Sequence, residues 1–85
     1  MVKLLDFWAS WCRPCHVMEP VIDEIEKELA GKVEVVKINV DENQSKASEH
    51  GVMSIPTYIV LKDNREVGRK IGVTAKQELL KLLQS

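Results

Sequence analysis

Cys12 and Cys15 are the chain's two cysteines, and only two residues separate them. An apolar run, Val2 to Trp8, comes just before them, and a helical pattern begins near Pro14. Two sulfurs at the junction of a strand and a helix leave few folds open, and they suggest chemistry more than structure.

The flanking patterns set the rest. Val2, Leu4, Leu5, Phe7 and Trp8 read as a strand buried on both faces, with Asp6 unusually placed inside it. From Pro14 the period changes. Met18, Val21, Ile22, Ile25 and Leu29 form the stripe of an amphipathic helix, with an acidic run from Glu19 to Glu28 on the solvated face. Pro14 suits a first turn, Pro20 predicts a kink, and Gly31 is a good stop. Val33 to Val40 alternates as a second strand, and a short helix is expected over about 44–50, ended by Gly51. Thr57 to Leu61 and Glu66 to Ile71 flank the polar turn Lys62-Asp63-Asn64-Arg65 and predict a hairpin. Thr74 is expected to cap a last helix with Leu79, Leu80, Leu82 and Leu83 inward.

The order is therefore β-α-β-α-β-β-α. Strands one and two must run parallel, joined by a right-handed helical crossover. An α/β fold follows, with a mixed four-stranded sheet and helices on both faces. Residues 1–85 make one domain, long enough for a modest core that buries roughly 60–65% of the unfolded surface.

Charge narrows the partners. Twelve basic and thirteen acidic residues give a net charge of −1, with no footprint for nucleic acid or an anionic membrane. No apolar stretch approaches the ~18 residues needed to span a bilayer. The first nine residues run straight into the cysteine motif without a signal-peptide pattern, so the cytoplasm is the expected compartment. In a reducing compartment two cysteines make a poor structural staple.

At a helix start, unpaired N–H groups and a partial positive charge favour a thiolate at Cys12, and Arg13 adds a fixed cation. Cys15, one turn on, lies within disulfide reach and is expected to be less exposed. The spacing suits an attacking thiol and a resolving thiol. Zinc is an alternative, but it needs two further ligands and only His16 and His50 are available, the former adjoining Cys15. A purely structural disulfide is the other alternative.

Taken together, Asp6-Phe7-Trp8-Ala9, Trp11-Cys12-x-Pro14-Cys15, Pro20, Lys37, Ile55-Pro56-Thr57 and Gly72 resemble the thioredoxin family in order and spacing over nearly the whole chain. The chain looks like a minimal version of that fold, without the strand and helix that commonly precede this point. Arg13 stands in place of a usual glycine, His16 in place of a usual lysine, and Met53-Ser54 where many members have a basic residue and glycine.

The resemblance implies a protein dithiol–disulfide oxidoreductase. Cys12 would attack a substrate disulfide and Cys15 would resolve the mixed disulfide. Asp6 would exchange a proton with Cys15, and a carboxyl amid Leu4, Leu5 and Phe7 should have a raised pKa on burial grounds as well. Lys37 would support that proton transfer. Ile55-Pro56 would form a cis-proline loop where a substrate strand pairs. Trp11, Arg13, Pro14, Ile55, Pro56, Gly72 and Val73 would make the docking surface. Trp8 reads as mainly structural and His50 as a surface helix residue.

No cofactor or metal is expected. The implied partners are disulfide-containing proteins and a thioredoxin reductase or equivalent donor, with the chain acting as a monomer. A glutaredoxin-like enzyme recycled by glutathione is the alternative within the enzymes. A non-catalytic partner subunit is disfavoured by the intact cysteine pair, and a disulfide-forming oxidase by the absence of an export pattern.

Overall fold

The computed structural model describes residues 1–84. Seven elements follow in order: β1 (Val2–Trp8), α1 (Arg13–Glu28), β2 (Val33–Asn39), α2 (Gln44–Glu49), β3 (Thr57–Lys62), β4 (Arg65–Ile71) and α3 (Lys76–Gln84). The strands form one sheet in the order β2-β1-β3-β4. β1 pairs parallel with β2 and antiparallel with β3, while β3 and β4 form an antiparallel hairpin.

The inner strand β1 is buried on both sides, which explains its nearly unbroken apolar run. Leu4 faces a core built with Met18, Ile22 and Ile25 of α1, Tyr58 and Val60 of β3, and Leu79 and Leu83 of α3. Leu5 and Phe7 face the opposite side with Ile38 and Ile59, over which Ala47 of α2 packs. The helices thus cover both faces, α1 and α3 on one and α2 on the other. Each fully buried apolar side chain in these layers contributes roughly 1.5–3 kcal/mol.

The hairpin turns on Asp63 and Asn64, both at positive φ (50° and 68°), so Asp63 joins Asn64 in the left-handed region. Along β4, a Cβ on Gly68 would lie 2.6 Å from a terminal methyl of Leu82, so the missing side chain is what lets α3 close onto the strand.

α1 continues through Pro20 as one helix from Arg13 to Glu28, with the apolar stripe on either side of it packed in the core; this extent does not bear on the expected kink. Two local expectations are corrected, at Thr74 and at His50. Thr74 does not cap α3: its hydroxyl donates backward to the Gly72 carbonyl at 3.0 Å, and the helix starts two residues later. His50 is a half-buried residue closing α2, with its ring against Phe7 at 5.7 Å between centroids.

Candidate functional site: a disulfide at the start of α1

β1 ends at Trp8, and the chain turns through Ala9, Ser10 and Trp11 before α1 begins at Arg13. The Cys12 N–H donates to the Ala9 carbonyl at 3.2 Å, which closes this turn. Cys12 becomes the N-cap of α1 in extended conformation, and its sulfur accepts the Cys15 N–H at 3.2 Å. A sulfur held there sits where the first-turn N–H groups and the helix dipole favour negative charge. Pro14 falls in the first turn, where its missing N–H costs nothing. Cys12 and Cys15 are joined as a disulfide, with 5.3 Å between Cα atoms.

Both sulfur-bearing residues are buried, Cys12 at 4% exposure and Cys15 at 5%. The expected difference between them is therefore absent. Bonded to each other, they pack as a unit against Ala9, Trp8, Val40 and Ile55.

Behind Cys15 lies a cavity of about 250 Å³, lined by Asp6, Trp8, Cys15, Glu19, Ile22 and Lys37. Asp6 is 8% exposed, and its pKa is raised from 3.8 to about 6. Burial is the main cause, since it disfavours the charged carboxylate. Lys37 opposes the shift, while Glu19 and Asp23 add to it. In the sheet Asp6 is flanked by Lys37 of β2 and Tyr58 of β3. Among the described residues the buried Tyr58 hydroxyl has no hydrogen-bond partner, and its own pKa is driven upward, first by burial and then by the Asp6 charge. Lys37 is not a dedicated partner of Asp6. Its ammonium donates to Asp23 at 3.2 Å, and that contact is the first cause of its raised pKa.

On the outer side, Ile55-Pro56 is a cis peptide bond. Pro56 accepts the Gly72 N–H on its carbonyl at 2.8 Å, which draws the β4–α3 loop beside the proline. Thr57 steadies the loop by donating from its hydroxyl to the Ser54 carbonyl at 2.7 Å. Ile55 packs on the disulfide, and among the described residues its own N–H and C=O make no hydrogen bond. A shallow groove of about 400 Å³ runs from Trp11 past Val52 and Met53 to Ile55. Trp11 (69% exposed), Val73 (63%) and Met53 (98%) leave apolar surface open around it, and Arg13 and Pro14 are exposed as well.

Three contributors escape a reading of the sequence. Asp41 accepts the Trp11 indole N–H at 2.9 Å from 30 residues away, and no spacing rule signals such a pair. Glu19 belongs to the acidic face of α1, yet it lines the Asp6 cavity. His16 has one ring nitrogen 2.5 Å from Glu19 Oε1 and the other 2.7 Å from the Ser10 carbonyl. Of the three, Glu19 carries a usable signal, being one helical turn from Cys15 on the same side.

Two carboxyl-bearing residues behind a helix-start disulfide, with an open apolar rim before it, can support thiol–disulfide exchange. Among the described residues no cluster of three or more His, Cys, Asp and Glu could hold a metal ion, and no helix is long and apolar enough to cross a membrane.

Known proteins are similar to this chain in sequence and fold. The Thioredoxin family model matches residues 1–85. A thioredoxin from Rickettsia conorii is 52% identical over 77 residues, covering 91% of this chain and 73% of the relative. One from Bacillus subtilis is 49% identical over 82 residues, covering 96% and 79%. Among solved structures, a mutant thioredoxin from Halobacterium salinarum superposes with a TM-score of 0.90 at 37% identity, covering 98% of this chain and 72% of that one. Oxidized mitochondrial thioredoxin 3 from Saccharomyces cerevisiae gives 0.89 at 32% identity, covering 98% and 76%. These likenesses do not favour the glutaredoxin alternative. With its cysteine pair joined at the head of α1, the chain belongs to the thioredoxin family and is a thiol–disulfide oxidoreductase.

Proposed function

We propose that the protein reduces disulfides in other proteins, with Cys12 as nucleophile, Cys15 as resolving thiol and Asp6 as proton acceptor. The Cys12 thiolate attacks one sulfur of the substrate disulfide and expels the other as a thiolate. Cys15 gives its proton to Asp6, and the new thiolate attacks Cys12 Sγ. The second substrate sulfur leaves, and two electrons have passed from the dithiol to the substrate. The observation that carries this reading is the cavity that Asp6 shares with Cys15, where a carboxyl with a pKa of about 6 can take and return a proton near neutrality.

Trp11, Arg13, Pro14, Ile55, Pro56, Gly72 and Val73 form the docking surface. The unpaired backbone groups of Ile55 support pairing with an extended substrate segment. Lys37 acts as a nearby charge that favours the ionised form of Asp6, although its hydrogen bond goes to Asp23.

The electron pair is carried by the two thiols themselves, so the reaction calls for no resident cofactor. A thioredoxin reductase or equivalent donor restores the dithiol, and the chain serves electron transfer and redox homeostasis as a monomeric single domain in the cytoplasm. The near-balanced charge and the family membership support that setting.

The test is reduction of insulin disulfides by the purified dithiol form. Cys12→Ser should abolish it, and Cys15→Ser should accumulate mixed disulfides with substrate. Activity surviving in Cys12→Ser, or no trapped adduct in Cys15→Ser, sinks the assignment. Recycling by NADPH and thioredoxin reductase should outpace recycling by glutathione.

A further inference from the structure

The imidazole of His16 sits between two groups that only accept hydrogen bonds. Nδ1 lies 2.5 Å from Glu19 Oε1, and Nε2 lies 2.7 Å from the Ser10 carbonyl oxygen. A neutral imidazole carries one N–H and can serve one of them; the imidazolium carries two and serves both. Ser10 belongs to the turn that delivers Cys12, and Glu19 lines the Asp6 cavity. We propose that His16 is a positioning residue for the proton exchange at Asp6: doubly protonated, it clasps the Ser10 carbonyl and the Glu19 carboxylate together at the cavity, and on losing one proton it releases one of them.

This inference rests on the role proposed above for Asp6 and adds a second residue to its control. The charged groups acting on Asp6 come from two elements. Lys37 of β2 favours the carboxylate, while Glu19 and Asp23 of α1 oppose it; Tyr58 of β3 lies alongside without charge. Only Glu19, on its own helix, acts on His16 as a charge; the Ser10 carbonyl of the preceding turn acts as a dipole. Both contacts favour the protonated ring, the Ser10 bond first.

With the clasp closed, the imidazolium offsets the Glu19 carboxylate that Asp6 feels. With it open, that negative charge stands alone and Asp6 holds its proton more tightly. By linkage the effect is reciprocal, so an ionised Asp6 also strengthens the clasp. The proton that Cys15 hands to Asp6 is thus received by a group whose affinity depends on a surface histidine.

The test is an NMR titration of the oxidised protein, following the Asp6 carboxyl carbon and the His16 ring nitrogens. Expected are ring-nitrogen shifts of an imidazolium at pH 6, and an Asp6 curve with a second inflection at the His16 midpoint. His16→Gln should raise the Asp6 midpoint by several tenths of a pH unit, and Glu19→Gln should lower it. His16→Lys keeps a cation at every pH and should leave a single inflection. An Asp6 curve with one inflection in the parent protein, or midpoints unmoved by His16→Gln and Glu19→Gln, overturns the coupling. Should His16→Gln not fold, the other two variants decide. Activity enters separately: if Asp6→Asn leaves the pH–rate profile of insulin reduction unchanged, Asp6 loses its assigned role while the coupling is still read by NMR.

Discussion

Lys37 is the strand neighbour of Asp6, yet its ammonium is hydrogen-bonded to Asp23, 3.2 Å away. The buried carboxyl is therefore left without a neutralising partner, which is why burial governs its titration and Lys37 only moderates it.

That relationship makes Asp6 a stability cost at neutral pH. Its folded pKa of about 6 lies above the ordinary 3.8, so its contribution is fully present below the ordinary value and is lost as pH rises through about 6. The two-unit difference corresponds to about 3 kcal/mol. Asp6→Asn should therefore gain about that much stability relative to the parent protein between pH 3 and pH 8. Urea unfolding of the oxidised forms at both pH values measures it, and parallel pH curves for the two proteins would refute it.

Arg13 follows the N-cap sulfur directly and is exposed. Its cation favours the thiolate of the reduced form through an exposed charge pairing worth roughly 0.3–1 kcal/mol. Arg13→Gly should make the protein more reducing by about 5–20 mV, given that about 30 mV equals 1.4 kcal/mol for two electrons. Equilibration with a glutathione buffer reads the potential, and an unchanged or less negative value contradicts the prediction.

Asp41 fixes the plane of an indole that is otherwise 69% exposed. Without that bond Trp11 should swing, and docking should loosen by about 0.5–1 kcal/mol. Asp41→Ala is expected to raise KM for insulin about two- to fivefold with kcat little changed. A kcat loss at constant KM would mean that Asp41 acts on the chemistry instead.

Gly68 tests the packing of α3. Alanine there would place its Cβ 2.6 Å from Leu82 Cδ2, the mobile end of a side chain, so the helix should adjust at a cost of about 1–2 kcal/mol. Leu82→Ala removes the obstacle, so the double variant should be more stable than the sum of the two single losses. Strict additivity in thermal unfolding would show that the two positions do not meet.

Periodicity exposes β1, α1, β2, β3 and α3, whose apolar residues lie in the core, whereas α2, which buries no residue, and the exposed β4 are legible only from their flanking turn, cap and glycine residues. Val2 to Trp8 is continuous because β1 has a neighbour on each edge and helices on each face. Gly51 and Asn64 mark their turns because both take positive φ. Contacts between distant segments are not written in any local pattern. The Trp11–Asp41 bond, the Lys37–Asp23 pair and the partnership of His16 with Ser10 depend on how whole elements lie against each other. Thr74 misleads for a local reason: its hydroxyl has two routes to a backbone group, and the backward one to Gly72 prevails. The equal burial of the cysteines follows from their bond, which turns two side chains into a single packed object.

The open backbone of Ile55 has a consequence for which disulfides the protein reaches. A lone N–H and C=O beside the sulfurs read the shape of a chain and not its letters. On the function proposed here, a disulfide on a slack, extendable segment can lie down against that loop, whereas one clamped inside a rigid core cannot. The enzyme would then sort its clients by mechanical looseness, sparing the staples of well-folded proteins and opening those of frayed ones.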